Sequence, residues 1–323
     1  MATRTHIPVR VLADFAELGA AADAWDGLLS HATNAVFLTL DWQREWWRAF
    51  GEERLLLVIA ERAGAVRAIA PLFAVDEMLF LVGSDGSDYL DFIGELDEMT
   101  LAAMLEAARQ ELSGFVGVGL YHIPLRSPTT TLLPGVAKLM GLKLFREGGM
   151  SAPYADLRDP RTVQQLLARR SVRKAEARMQ RQAPLRIRTA EGHQLDEWLE
   201  LFFEQYAARW QAAGIDPNAR SFYRAIVHRG HAAGWLSFSM LEWRDAPAAF
   251  DMSLVRAARS LSYLSSLDPS IREHSPGRIL QRYVVKAAVD AGVAIYDFGL
   301  GDEEYKLRDA SGVDEVGNWF LYP

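Results

Sequence analysis

The same order of apolar runs and turn residues occurs twice along the chain. Apolar runs bounded by turn residues predict strands, and apolar residues spaced three and four apart predict helices. In the first half this pattern predicts three strands, a helix and a strand over residues 55–60, 66–73, 78–82, 100–112 and 115–123. In the second half the same series falls at residues 235–241, 249–255, 261–267, 277–291 and 294–298. We infer an internal structural duplication.

The order of these elements indicates the fold class. Consecutive strands joined by hairpins pair antiparallel, whereas a strand–helix–strand connection makes a parallel crossover. We therefore predict an α/β protein. Its sheets should be mixed, with antiparallel as well as parallel pairs, as in α+β folds. Two domains are expected, at residues 1–157 and 158–323, and no Pro-, Ser- or Gly-rich linker separates them.

Further helices are predicted outside the duplicated series, and one of them is strongly basic. Apolar spacing predicts helices over residues 11–32, 160–182, 194–211 and 221–233. Residues 158–188 hold ten basic and two acidic side chains, in a chain of net charge −7. This basic surface has three interpretations: a solvated face, a site for an anionic acceptor such as a nucleotide-linked sugar, or a tRNA site.

Composition narrows the possible chemistry. The 323 residues are 50% hydrophobic and 24% charged, as in ordinary globular proteins. Cysteine is absent, which excludes disulfides, a catalytic thiol and Cys-ligated metals. No histidines have metal-ligand spacing, so we predict no metal. The N-terminal residues lack the pattern of a signal peptide and no apolar run approaches a membrane span, so we expect a cytoplasmic protein.

The start of the second-half helix is a candidate anion site. Ser275, Pro276, Gly277 and Arg278 open this helix directly after a strand and a loop. The first amides of a helix lack internal acceptors, and glycine lets a phosphate approach the backbone. Together with His274, this segment predicts a pyrophosphate cradle; the alternative is an ordinary capped turn.

The equivalent first-half loop has the opposite charge. It holds Asp85, Asp88 and Asp91, which would repel a diphosphate. Carboxylates can instead bond sugar hydroxyls, and Tyr89 can stack on a sugar ring. We therefore predict that Asp85, Asp88 and Tyr89 bind the acceptor substrate, with a solvated loop as the alternative.

A second candidate segment follows the strand that ends the second-half series. It contains Asp297, Glu303, Glu304, Tyr305 and Lys306 around two glycines. Acyl transfer from a thioester needs a base for the nucleophile and an acid for the leaving thiolate. Glu303 or Glu304 is the predicted base and Tyr305 the predicted acid, while Asp297 and Lys306 are predicted to bind the substrate. A solvated charged turn is the alternative.

These residues carry a resemblance to a known family. Asp268-Pro269, Ser275-Pro276-Gly277 and Asp297-Phe298-Gly299 with Gly301-Asp302 and Tyr305-Lys306 resemble the CelD/BcsL-like GNAT acetyltransferases, relatives of the FemAB-type transferases. The resemblance implies two tandem GNAT-like domains, with acyl-CoA bound only by the second. The implied pantetheine strand and phosphate segment comprise Tyr263, Leu264, Ser265, Ser266, Leu267, Ser275, Pro276, Gly277, Arg278 and Ile279.

The resemblance also implies an activity. We expect an N- or O-acyltransferase that moves an acyl group from acetyl-CoA or a longer acyl-CoA directly to a sugar precursor of a surface polysaccharide. One alternative is an aminoacyl-tRNA-dependent transferase of the FemAB type. Another is a non-catalytic ligand-binding regulator of polysaccharide export.

Overall fold

A computed structural model describes residues 7–29, 35–210 and 215–323. The chain forms two compact units. The first unit comprises Met1–Met150 with Asp314–Pro323, and the second comprises Ser151–Val313. The last strand of the chain therefore belongs mostly to the first unit.

Strands and helices alternate in the first unit. Its elements are β1 (Val9–Leu12), α1 (Ala20–Trp25), α2 (Leu40–Phe50), β2 (Arg54–Arg62), β3 (Ala65–Val75), β4 (Met78–Leu81), β5 (Ile93–Gly94), α3 (Glu98–Gln110), β6 (Gly117–Pro124), α4 (Pro128–Met140) and β7 (Lys143–Asp156), which continues into the second unit. Strands β1 to β4 pair antiparallel in chain order, and β4 pairs parallel with β6. Trp25, Trp42 and Phe37 are among its fully buried side chains.

The second unit repeats this arrangement. Its elements are α5 (Pro160–Leu167), α6 (Arg170–Gln180), β8 (Leu185–Thr189), α7 (Leu195–Trp210), α8 (Pro217–Ala232), β9 (Leu236–Trp243), β10 (Ala246–Arg256), β11 (Arg259–Leu267), α9 (Pro276–Asp290), β12 (Ile295–Asp297), α10 (Glu304–Asp309) and the start of β13 (Gly312–Tyr322). Strands β8 to β11 pair antiparallel, and β11 pairs parallel with β12. Helix α9 packs its apolar face on this sheet through Ile279, Leu280 and Val285.

The two series of elements have equivalent pairing. In each unit three antiparallel strands lead through a helix to a fourth strand, which pairs parallel with the third. The predicted mixed α/β fold with an internal duplication is therefore confirmed. Strand β13 pairs antiparallel with β6 in the first unit, and β12 pairs antiparallel with the end of β7 in the second.

Two helix predictions are wrong. The described part of residues 11–32 contains the end of β1, short 3-10 turns and α1, because Asp14 caps a 3-10 turn and Gly19 adopts a φ of 52°. The predicted helix over residues 160–182 is broken between α5 and α6 at Arg169, whose ψ of 112° is not helical. The Arg169 guanidinium forms an ion pair with the buried Asp309, which is far away along the chain. The helix is thus interrupted at the residue that makes this ion pair.

Candidate active site

Strands β11 and β12 diverge within the second unit. Strand β12 pairs with β11 only at Arg259, Ser260 and Leu261. Residues 262–267 continue to pair with β10 on the other side, where the register shifts opposite Tyr263. No described strand pairs with the β12-facing edge of β11 over these six residues, and such a strand edge can bond a ligand. We call this opening the second fork.

Helix α9 begins at the end of the second fork. Its N-cap residue, Ser275, lies in the left-handed region (φ 58°, ψ 45°) and forms no side-chain cap, and the first turn holds no acidic residue. A Cβ added at Gly277 would meet only the Leu267 side chain within 4 Å, at 3.5 Å. The helix start is therefore accessible and uncapped, and its dipole favours an anion.

His274 lies directly before this helix start. Its ring packs against Trp243, with centroids 5.3 Å apart, and its Nδ1 is buried with no hydrogen-bond partner among the described residues. The Nε2 atom lies 3.5 Å from a Glu273 carboxylate oxygen. The Nδ1 atom of His274 is thus a buried polar atom without a hydrogen bond to the described residues.

Arg278 is engaged inside the second unit. Its guanidinium binds the Asp309 carboxylate and donates to Gln281 Oε1 at 2.8 Å. It also lies over the Tyr305 ring, 5.2 Å from the centroid. Arg278 therefore fastens α9 to α10 in this structure, and any bond to a phosphate would compete with Asp309.

Asp297 occupies a buried structural position at the end of β12. It is fully buried, and its carboxylate binds Arg259 at 2.9 Å and accepts from the Gly299 amide at 2.9 Å. These contacts hold the turn that follows β12. The predicted substrate contact of Asp297 is not accessible in this arrangement.

The four other predicted residues of this segment differ in exposure. The Lys306 ammonium is nearly buried, donates to the Leu300 carbonyl at 2.6 Å and lies 3.0 Å from Glu303. Glu304 is 93% exposed and lies 3.6 Å from Arg308. The Tyr305 ring lies against the Arg278 guanidinium. Lys306 thus closes the loop before α10, and Glu304 points into solvent.

A buried carboxylate next to the second fork was missed by the sequence analysis. Asp251 on β10 is 4% exposed and accepts hydrogen bonds from Ser253 Oγ at 2.5 Å and from Ser262 Oγ at 2.7 Å. Burial raises the pKa of Asp251, and these two bonds lower it by less. The only signal in the sequence was an acid inside an apolar strand.

Tyr296 on β12 completes this buried cluster. Its side chain is fully buried, and its hydroxyl forms no hydrogen bond of acceptable geometry within the described chain. Ser262 and Gln281 lie beside the hydroxyl, but Ser262 donates to Asp251 and Gln281 accepts from Arg278. Burial, and then the Asp251 charge, raise the pKa of Tyr296 well above its ordinary value, so the phenol stays protonated.

The first unit has a cavity at its own fork. Strand β6 pairs with β4 only at Gly117, Val118 and Gly119. A cavity of about 460 Å³ lies beyond this point, lined by Phe73, Val75, Phe80, Ser84, Asp85, Tyr121 and His122. The Phe80 and Tyr121 rings are stacked at 18°, and His122 Nδ1 lies 2.9 Å from the Ser87 carbonyl. We call this space the first-unit cavity.

The predicted acceptor residues are placed differently around this cavity. Asp85 is exposed and lines it. Tyr89 is 5% exposed and packs against Phe37, with centroids 6.1 Å apart. Asp88 is half-buried and does not line the cavity. Tyr121 and His122, which were not predicted, line the cavity instead.

Comparison with known proteins bears on the second unit. Residues 167–307 match the family model of the acetyltransferase (GNAT) domain. This region contains the second fork, the start of α9 and most of α10. The prediction of a GNAT-type acetyltransferase domain is confirmed for this region, whereas the finer assignment to the CelD/BcsL-like branch stays a prediction. No curated protein matches the chain in sequence.

Solved structures extend the fold comparison over both units. The structure of FemX is similar with a TM-score of 0.65 and 13% identity, covering 93% of this chain and 95% of that one. A tandem GNAT protein from the clavulanic acid biosynthesis pathway covers 98% of each chain at a TM-score of 0.53 and 15% identity. The C-terminal domain of a putative lysylphosphatidylglycerol synthetase from Agrobacterium fabrum is similar with a TM-score of 0.60 and 13% identity. The match covers 94% of this chain and 91% of that one. At these identities the likeness concerns the fold.

The described residues contain neither a candidate metal centre nor a membrane-spanning helix. Across residues 7–29, 35–210 and 215–323, no cluster of three or more His, Asp or Glu side chains could hold a metal ion. Within the same ranges, no helix combines the length and the apolar character needed to cross a membrane.

Proposed function

We propose that this protein transfers an acyl group from acyl-CoA to an amine or hydroxyl of a sugar or cell-surface polysaccharide precursor. The observation that carries this proposal is the second fork, an open strand edge over residues 262–267 that leads to the uncapped start of α9. An open edge suits the amides of a pantetheine arm, and an uncapped helix start suits a diphosphate.

The residues of the second unit fit an acyl-CoA. Tyr263, Leu264, Ser265, Ser266 and Leu267 would offer backbone groups to the pantetheine arm. The start of α9, from Ser275 to Ile279, would hold the diphosphate, with the Gly277 position leaving room for it. The thioester supplies an activated acyl group. Because the chain has no cysteine, we expect direct transfer within a complex of donor and acceptor.

We assign the acceptor to the first-unit cavity. Its aromatic side chains Phe73, Phe80 and Tyr121 can cover the apolar face of a sugar ring. Asp85, Ser84 and His122 offer acceptors and donors for hydroxyl groups at the same cavity. The volume of about 460 Å³ suits a small ligand such as one or two sugar rings.

Native mass spectrometry with a set of acyl-CoAs tests the proposed donor. We expect one acetyl-CoA or longer acyl-CoA per chain, and release of CoA when an amino sugar such as glucosamine is added. Free thiol can be detected without background because the chain has no cysteine. Absence of any bound acyl-CoA at millimolar concentration would reject the proposal.

The second candidate is an aminoacyl-tRNA-dependent transferase. The observation that favours it is a basic surface on α6, where Arg170, Arg173, Lys174, Arg178 and Arg181 at its C-cap are exposed. These five side chains form no ion pair with the described residues. Binding of tRNA that weakens steeply with salt, without acyl-CoA binding, would favour this candidate.

A further inference from the structure

The acidic residues after β12 are poorly placed to accept a proton. The Glu303 carboxylate lies 3.0 Å from the Lys306 ammonium, and Glu304 is 93% exposed beside Arg308. The Glu303 carboxylate is thus already engaged by a neighbouring cation, and the Glu304 carboxylate is turned to solvent. A better base would be a carboxylate that is desolvated, without a cationic partner and connected to the site.

Asp251 meets these conditions. It is almost fully buried on β10, and within the described chain no Lys, Arg or His pairs with it. Among the residues that the structure describes, its hydrogen-bond partners are the hydroxyls of Ser253 and Ser262. Ser262 is the first residue of β11 beyond the last pair with β12, so it stands where the second fork opens.

We propose that Ser262 and Asp251 form a proton relay that serves as the general base of acyl transfer. The inference rests on the proposed acyl-CoA-dependent function and names the group that activates the acceptor. Ser262 is partly accessible, whereas Asp251 lies behind it in the sheet. Ser262 is therefore the catalytic residue, and Asp251 is the terminal proton acceptor.

The relay balances in protons and electrons. The acceptor nitrogen or oxygen attacks the thioester carbonyl, and its proton passes to Ser262 Oγ. At the same time the Ser262 hydroxyl proton passes to Asp251 Oδ2, along the 2.7 Å hydrogen bond already present. When the C–S bond breaks, its electron pair stays on sulfur and the leaving thiolate takes up a proton from solvent. Asp251 then releases its proton to solvent, which returns the relay to its starting state.

The surroundings of Asp251 support its role as a base. Burial disfavours its charge and raises its pKa, which increases its affinity for the incoming proton. The groups beside it are Ser253 on its own strand, Ser262 on β11 and the Tyr296 phenol on β12, with Gln281 of α9 beside that phenol. Its partners across the sheet are Ser239 on β9 and Ser265 on β11. None of these carries a charge at neutral pH, because the raised pKa of Tyr296 keeps the phenol protonated.

Replacement Asp251→Asn gives the first test. We expect kcat with acetyl-CoA and glucosamine to fall by about 100-fold or more, within the range of general-base catalysis. The acidic limb of the pH–rate profile, which in the native protein reports ionisation of Asp251, should disappear. Acetyl-CoA hydrolysis, in which water replaces the acceptor, should fall in parallel.

Stability separates a catalytic role from a structural one. In the native protein the pKa of Asp251 is raised, so folding favours its protonated carboxyl. The contribution of Asp251 to the free energy of unfolding therefore declines as pH rises through its folded-state pKa. At pH 8 the Asn variant should therefore have a Tm equal to or above the native value. A variant with a lowered Tm and an unchanged pH profile would overturn the inference.

Ser262 supplies a second test that does not depend on the first. Ser262→Ala should lower kcat by at least 10-fold with little change in acetyl-CoA affinity, and Ser262→Thr should restore most of the rate. Ser239→Ala is the matched control, because Ser239 pairs with Asp251 on the β9 side, away from the second fork. Full activity in Ser262→Ala would overturn the relay. If the native protein itself binds no acyl-CoA, the proposed function fails instead.

Discussion

The starts of α3 and α9 occupy equivalent places in the two units but differ in charge and capping. At α3 the Asp97 side chain accepts from the Thr100 amide at 2.7 Å, and Glu98 lies in the first turn. At α9 the N-cap Ser275 forms no side-chain cap, and the first turn has no acid. The start of α3 thus has an amide bonded by its cap carboxylate, whereas the start of α9 has no side-chain cap and no acid that would oppose an anion. The two units thus share a framework, while their equivalent helix starts differ in charge and capping.

The opening between β4 and β6 in the first unit and the second fork also differ in their surroundings. In the first unit, aromatic side chains and His122 surround a cavity beside the acidic Asp85. In the second, an open strand edge is followed by the uncapped helix. We infer that donor and acceptor are divided between two copies of one fold, each with its own ligand chemistry.

The largest expected effect is at Gly277. Gly277→Glu should abolish acyl-CoA binding, because a carboxylate would occupy the helix start and repel the diphosphate. Gly277→Gln has nearly the same shape without the charge and is the matched control; it should retain measurable affinity. Isothermal titration with acetyl-CoA measures both. Equal binding by the Glu variant and the native protein would show that α9 does not hold the phosphates.

A large effect is also expected at the first-unit cavity. His122→Ala should raise the KM for the acceptor by about 10-fold, since a hydrogen-bonding group at the acceptor is lost. The affinity for acetyl-CoA should stay unchanged, because we propose that the donor binds to the second unit. Steady-state kinetics with each substrate varied in turn provide the measurement. A change confined to the KM for acetyl-CoA would contradict our assignment of the acceptor to the first-unit cavity and of the donor to the second fork.

A moderate effect on stability is expected at the start of α3. Asp97→Ala removes the cap and should cost about 1 kcal/mol of unfolding free energy, without creating a CoA site. The pKa of Asp97 is lowered, chiefly by the hydrogen bond from the Thr100 amide. Its contribution is therefore present above the unfolded-state pKa and is lost as pH falls through the folded-state pKa. Urea unfolding of the native protein and the variant, at neutral pH and at about pH 3, provides the measurement. The difference between their unfolding free energies should be smaller at the lower pH.

The smallest effect is expected at Glu304. Glu304→Gln should change kcat by less than about twofold, because this side chain is 93% exposed and its Arg308 contact is a weak surface pair. The same steady-state assay with acetyl-CoA and glucosamine serves as the measurement. A loss of 100-fold would restore Glu304 as the general base and count against the Ser262–Asp251 relay.

The duplicated framework could be predicted because its signals are local. Apolar runs and turn residues located β2, β3 and β4 in the first unit and β9, β10 and β11 in the second, and spacing located α3 and α9. The basic surface of α6 and the Gly277 helix start were likewise visible as residue patterns. Such features depend on neighbours within a few positions along the chain.

The parts that could not be predicted depend on distant contacts. The break before α6 coincides with the pairing of Arg169 with Asp309, which lies far along the chain. The same carboxylate holds Arg278, which sequence reasoning had assigned to the diphosphate. The sequence around Asp251 gives no sign of Ser262, because their 2.7 Å hydrogen bond forms only where the pairing of β10 with β11 shifts register. Buried polar partners of this kind are fixed by tertiary packing.

Hydrogen–deuterium exchange with and without acetyl-CoA tests most directly whether the donor binds in the second unit. We expect slower exchange in peptides that cover residues 262–279, where the open edge of β11 and the start of α9 lie. Peptides that cover residues 78–100 of the first unit should exchange at the same rate in both samples. Protection of the first-unit peptides, with no change at residues 262–279, would contradict the assignment.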